Sequence, residues 1–284
     1  LSGVSGQYLM AHGFSAIILT NIRLLIAGAV LLLFAYLSDK EKFVAFFKDK
    51  SSYISLILFA FLGLLLTQLT YLIAIAETNA GTATVLQYVC PVGVLAYTCI
   101  KDRVGPTVSE IASMLLAIGG TFLIATHGQL NQLAITPKGL GWGLFSAFAY
   151  ALYIILPLNL IKKWGSMLVI GVGMLLPGIL MLPFSGLVSF QGHYSSDNLW
   201  ALFGLIVLGT IFAYTVFLKG TSMVGAVKGS LLASIEPISA VFFAYMIMND
   251  QFYAIDFIGM GMILLAVLLI SLKDLIIQKE KGIL

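Results

Sequence analysis

The placement of lysine and arginine between long apolar runs limits what this chain can fold into more than any other feature. Of the fifteen such residues, most fall in every second gap between the runs. Lys40, Lys42, Lys48 and Lys50 share one gap, Lys101 and Arg103 come two gaps later, then Lys162 and Lys163, then Lys219, with Lys273, Lys279 and Lys281 in the C-terminal tail. The intervening gaps hold only Lys138, while Arg23 and Lys228 lie inside or at the edge of apolar runs. Apolar spans separated by gaps alternately rich and poor in basic residues define a polytopic membrane protein with one orientation.

Composition excludes a soluble domain. The chain is 60% hydrophobic and 10% charged with a mean hydropathy of +1.05, against about 25% charged residues in soluble proteins. The net charge of +3 is accounted for by cytoplasmic loops, so no nucleic-acid partner is expected.

Runs long enough to cross a bilayer cover 14–37, 53–75, 82–100, 108–126, 140–161, 166–188, 199–219, 227–248 and 256–272. Leu1–Ala11 is too short to span but apolar enough to end a helix, and reads as the C-terminal half of a further helix whose beginning is absent. It lacks the basic start of a signal peptide. Positive charge puts 38–52, 101–107, 162–165, 219–226 and the tail in the cytoplasm. Tyr8, Tyr36, Tyr53, Trp142, Trp164 and Trp200 fall near span ends, where aromatic rings anchor at the interface. The outer gaps then hold His12, His127 and His193, which either share a pH or metal role or are unrelated loop residues. Cys90 and Cys99 lie on one helix roughly 13 Å apart, too far to pair.

A shift of 146 residues lays 71–124 on 217–270, aligning Pro91 with Pro237 and Glu110 with Asp256. Identities are few. A five-helix repeat has an odd number of crossings, so the second copy enters from the opposite face, the inverted arrangement of many secondary transporters. The expected units are 1–126 as the first repeat, 127–139 as an outer linker, 140–272 as the second repeat and 273–284 as a cytoplasmic tail.

Three stretches are distinctive: SGVSGQYL followed by a helix carrying Arg23, TNAGTATVLQYVCPV, and GAVKGSLLASIEPISAVFFAYMIMND with Ser230, Ser234, Glu236 and Pro237. Together they resemble the EamA-like transporters of the drug/metabolite transporter superfamily, across essentially the whole chain. The resemblance implies an all-α membrane protein of ten helices in an inverted five-plus-five repeat, the first helix only partly present, with cytoplasmic termini. It also implies export of amino acids or other small metabolites and drugs across the plasma membrane. The acidic residue that usually follows glycine after the fourth and ninth helices stands here as Asp102 and Asp250.

Candidate chemistry lies in polar residues within the spans. Glu236 is costly to insert, by about 2.5–3.5 kcal/mol, and so faces a cavity or a partner. It is either a site for a substrate ammonium or a proton, or a structural carboxylate paired with Arg23 or a tyrosine. Pro91 and Pro237 each remove a backbone donor and are expected to kink their helices. Lys228 either snorkels to the headgroups or meets a substrate carboxylate. Arg23, mid-helix, is expected in a structural ion pair. Gln68, Tyr71, Gln87, Tyr88, Tyr150, Tyr153, Tyr214 and Ser230 complete a candidate substrate pocket, phenols suiting amphipathic ligands. Gly139 with Gly143, and Gly225 with Gly229, permit close helix approach.

No phosphate-binding loop, zinc-binding H-E-x-x-H or Cys/His ligand cluster occurs, so no cofactor or metal is expected. The leading reading is a secondary transporter working by alternating access on a small organic metabolite, with coupling to a proton gradient left open. Multidrug efflux, a channel-like facilitator and a membrane enzyme are the alternatives.

Overall fold

A computed structural model describes residues 2–90, 99–100, 103, 105–126, 135–190, 195–213, 216 and 235–280. Every regular element among them is helical. We number these α1 (Ser2–Ala11), α2 (Ala16–Ser38), α3 (Lys40–Lys48), α4 (Lys50–Glu77), α5 (Ala80–Gln87), α6 (Val108–Thr126), α7 (Pro137–Ile155), α8 (Leu158–Trp164), α9 (Ser166–Met181), α10 (Ser196–Phe212), α11 (Ile235–Met248) and α12 (Ala254–Glu280). Helix starts follow local capping chemistry, which satisfies backbone donors left free in the first turn. Ser15, Asp39, Asn79, Thr136 and Ser195 each accept a backbone N–H from the third residue onward.

Among the described residues, α2, α4 and α7 are long and apolar enough to cross a membrane by themselves. The radial distribution of side chains is that of a membrane protein. Thr20, Asn21, Arg23, Gln68, Thr84 and Asp256 are buried, whereas Leu33, Leu37, Ile54, Leu115 and Ile118 are exposed. In water this arrangement would leave large apolar patches uncovered; in lipid it is the favourable one.

Three boundaries differ from the sequence reading. The gap at 38–52 holds a helix, α3, because Asp39 caps it and Phe46 packs into the rest of the fold. The span at 140–161 divides between α7 and α8, since Pro157 cannot donate the backbone bond that would join them. The span at 166–188 stops at Met181, and Gly186, with φ of 72°, turns the chain into a short 3-10 turn.

The internal repeat is visible in the geometry. Lys50 and Ser196 open α4 and α10, and Val108 and Ala254 open α6 and α12, each pair 146 residues apart. Both α4 and α10 contain a π-helical segment, Phe59–Leu65 and Gly204–Phe212, centred on matching positions under the same shift. Contacts obey it too. Gly178 approaches the backbone N of Leu25 and Gly171 that of Leu32, and a shift of 146 turns each pair into the other. Two helix pairs, α2 with α9 and α6 with α12, join equivalent elements of the two halves.

Close approach at these joints depends on glycine. Gly28 lies against the backbone of Leu175, and Gly120 and Gly259 face each other, each one's missing Cβ directed at the other's carbonyl. Without a hydrophobic drive between helices in lipid, such backbone contact supplies dispersion attraction that larger side chains would prevent.

Candidate functional site

Helices α1, α4, α5 and α11 converge on a chain of polar contacts. Tyr88 Oη donates to Glu236 Oε2 at 2.8 Å. One turn back on α5, Tyr71 Oη and Thr84 Oγ1 are 2.7 Å apart. Thr84 already donates its single hydroxyl proton to the carbonyl of Ala80 at 2.6 Å, so Tyr71 is the donor of the shared bond. This arrangement needs Gly3, where a Cβ would lie 2.5 Å from the Tyr71 hydroxyl.

The local chain path explains the site. Helix α5 ends at Gln87, and Tyr88 and Val89 form a turn. That turn precedes Pro91, whose missing N–H leaves the Gln87 carbonyl without a helical donor. Tyr88 therefore sits where regular helix gives way, and Glu236 sits next to the proline at the matching position, Pro237. Tyr88 is buried, and Glu236 lies in the first turn of α11.

Gln68 stands one turn from Tyr71 on α4 and is only 3% exposed, yet among the described residues neither its amide nitrogen nor its oxygen has a hydrogen-bond partner. The adjacent Thr67 hydroxyl is likewise unpartnered. An amide buried in this way costs about 1–3 kcal/mol. Gln87 is buried on α5. Tyr150 and Tyr153 stack with ring centroids 5.6 Å apart, and Tyr153 also stacks on Phe59 of the π segment at 5.9 Å.

Arg23 is buried, and its Nε donates to Thr210 Oγ1 at 2.6 Å. Thr210 in turn donates to the Leu205 carbonyl at 3.0 Å, five residues back along the π turn. Among the described residues, then, the contact of Arg23 is with a hydroxyl, not with the carboxylate that a buried cation would ordinarily call for. Glu236 takes the phenol of Tyr88 instead. By the same shift, the position equivalent to Arg23 is Val169 and that equivalent to Thr210 is Leu64, both fully buried. One of the two symmetry-related residue pairs is polar and the other apolar.

Two participants were not foreseen from the sequence. Thr210 is one, and the signal was its hydroxyl in the otherwise apolar run GLIVLGTIF. Gln7 is the other: its Nε2 donates to both Asp250 oxygens at 3.1 and 3.0 Å, and its Oε1 accepts from Ala80 N at 2.7 Å. This amide ties α1 to the start of α5 and the end of α11. Pro91, Tyr214, Lys228, Ser230, Asp102, His127, His193, Gly225 and Gly229 lie outside the described residues. Pro237 falls in the first turn of α11. His12 stacks on Tyr8 at 4.1 Å, and Cys90 and Cys99 are both free. No group of three or more potential metal ligands occurs among the described residues.

Comparison with known proteins gives the context. The chain matches the EamA-like transporter family over residues 1–126 and 137–272. It belongs to that family. A Salmonella typhimurium protein named uncharacterized inner membrane transporter YicL is 36% identical over 96% of this chain and 91% of its own length. Uncharacterized transporter YcbK of Bacillus subtilis is 23% identical over 69% of this chain and 65% of its own length. A crystal structure described only as that of a protein superposes with a TM-score of 0.61, at 12% identity, over 95% of this chain and 94% of that one. At that identity the likeness speaks to the fold alone. This EamA-like chain is thus a multi-pass membrane protein with an internal repeat.

Proposed function

We propose that the protein is a secondary transporter moving small organic metabolites, amino acids or related compounds, out across the plasma membrane by alternating access. The observation that carries this reading is the Tyr88–Glu236 hydrogen bond. It joins the two halves beside the matched prolines, where inverted-repeat transporters keep their sites. A carboxylate inside an expected span supports a cavity at Glu236, since one facing lipid would be costly. Gln68 supplies a buried amide awaiting a partner, Tyr71 and Tyr88 supply phenols, and Glu236 supplies a negative charge for a substrate ammonium or a proton. Charge asymmetry supports a cytoplasmic location for 38–52 and for the tail.

The stacked Tyr150, Tyr153 and Phe59 favour one second reading, efflux of aromatic, amphipathic drugs. A single experiment separates the two. Purified protein in proteoliposomes is offered labelled amino acids and lipophilic cations, with and without an imposed proton gradient. Saturable amino-acid flux that is lost, or loses its pH dependence, in Glu236→Gln is the expected result. Flux of cations alone favours the second reading. Flux of amino acids with an unchanged pH profile in Glu236→Gln removes the carboxylate from the mechanism.

A further inference from the structure

Helix α3 is neither a loop nor part of a span. Asp39, with extended backbone, ends α2 and caps α3, and non-helical Asp49 ends α3 before α4 begins. A nine-residue helix held between the ends of two spanning helices lies at the level of the membrane surface. It is also fastened in one rotational setting. Phe46 is buried edge-on against Trp164 at 5.4 Å. Asp49 takes the Lys163 ammonium and the hydroxyls of Ser51 and Ser52, and Trp164 Nε1 donates to Ser52 Oγ at 3.1 Å. These contacts tie α3 to the α8 end of the second half.

That setting decides what the free side presents. At about 100° per residue, Lys40, Val44, Phe47 and Lys48 occupy one arc of roughly 100°, on the side away from Phe46. All four are exposed. Two apolar side chains flanked by two lysines form a face that fits neither water nor the bilayer core. It fits the boundary between acyl chains and headgroups, with ammonium groups reaching outward. Lys42 falls on the Phe46 side, with its Nζ near Gly165, and Lys50 and Lys162 are exposed at the same end of the fold. Of the nearby acids, Asp39 caps α3, Asp49 is neutralised by Lys163, and Glu41 is exposed at the edge of the face next to Lys48, so two lysines there outnumber one carboxylate.

We propose that the exposed face of α3 is a binding site for anionic phospholipid, Val44 and Phe47 entering the acyl boundary while Lys40 and Lys48 engage the headgroup charge. The partner is chosen by charge complementarity, each lysine near an anionic surface strengthening binding about fivefold. Binding here would steady the tie between the two halves. It is independent of any transported substrate.

Trp164, packed on Phe46 beneath α3, is the built-in reporter. A variant with Trp142→Phe and Trp200→Phe keeps it as the sole tryptophan, the chain having three. The protein is reconstituted in phosphatidylcholine vesicles containing phosphatidylglycerol or phosphatidylcholine brominated near the headgroup. The anionic quencher is expected to reach half-quenching at a mole fraction at least about fivefold lower at 0.1 M salt, two lysines offset by Glu41 acting together, the advantage fading at 1 M, where screening acts within about 3 Å. Lys40→Gln with Lys48→Gln should bring the two lipids within about twofold of each other. Val44→Ser with Phe47→Ser, which keeps the charges, should weaken quenching by both lipids. Helicity by circular dichroism verifies that each variant is folded; where the lysine double variant is unfolded, the salt dependence and the serine pair decide. Equal quenching by both lipids, or a full preference surviving in the folded lysine double variant, overturns the site.

Discussion

Gly120→Ala is a sharp probe of the α6–α12 joint. An alanine Cβ at that position would lie 2.5 Å from the Gly259 carbonyl oxygen, 2.8 Å from Ile263 Cγ1 and 3.1 Å from Met262 Cβ, where ordinary contact begins at 3.4 Å. The Ile263 side chain can rotate, but the Gly259 carbonyl belongs to the backbone of α12 and moves only with the helix. Relieving the contact parts the two helices by about 0.9 Å and forfeits dispersion contacts along the seam. Overpacking of this kind costs about 1–3 kcal/mol, partly offset by the better helix propensity of alanine, about 1 kcal/mol. The net expectation is a loss of up to about 2 kcal/mol against wild type, and of about 1–3 kcal/mol against an alanine that has the same propensity gain and meets nothing. At roughly 2–4 °C per kcal/mol for a chain of this size, the midpoint falls by up to about 8 °C against wild type. Gly141→Ala is the control, because nothing lies within 4 Å of its Cβ position; it should be neutral or slightly stabilising. Heating in detergent with a thiol-reactive dye reports the transition, since buried Cys90 becomes reactive on unfolding. Equal midpoints for Gly120→Ala and Gly141→Ala would refute the reasoning that this joint depends on backbone contact.

Other expectations follow from single contacts. Thr210→Val deprives buried Arg23 of its acceptor and should lower the unfolding midpoint in detergent by the equivalent of about 1–3 kcal/mol, with Thr210→Ser restoring it; Val and Ser behaving alike would remove the bond from the account. Lys163, with the hydroxyls of Ser51 and Ser52, holds the Asp49 carboxyl well below its ordinary value near 3.8. A depressed folded value means that its stabilisation is present above 3.8 and is lost only as pH falls from there toward the folded value. Trp164 fluorescence in the single-tryptophan variant should therefore stay level from pH 7 to about 4, and Lys163→Ala should move the acid change upward; a wild-type midpoint at or above 3.8 contradicts this. Lys48→Cys, in a background lacking Cys90 and Cys99, should resist an impermeant thiol reagent added outside intact cells. Labelling from outside reverses the proposed orientation.

The class of fold was legible because insertion in lipid acts on stretches of sequence. Hydropathy over about 20 residues identifies a span whatever its neighbours, and the lysine pattern sets an expected orientation without reference to packing. The repeat was legible for a related reason: an unchanging shift of 146 carries hydropathy boundaries and prolines with it even where few residues are identical. The same shift then recurs in the helix starts and in the Leu25–Gly178 and Leu32–Gly171 contacts.

Pairing was not legible. Glu236 had several equally reasonable partners, and only the convergence of α5 and α11 joins it to Tyr88 while Arg23 goes to Thr210. Gln7, a polar residue near the end of a short helix, gave no sign that it would bind a carboxylate 243 positions away. The π segments were equally hidden, since a π turn is set by the hydrogen bonds a helix can exchange with its surroundings and not by a residue pattern. Sequence alone determined that this is a helical, repeated membrane protein, because transfer from water to lipid is nearly additive along the chain. Which polar groups meet inside it was decided only by the tertiary structure, because a hydrogen bond within the membrane depends on angles and distances of a few tenths of an ångström between helices far apart in sequence.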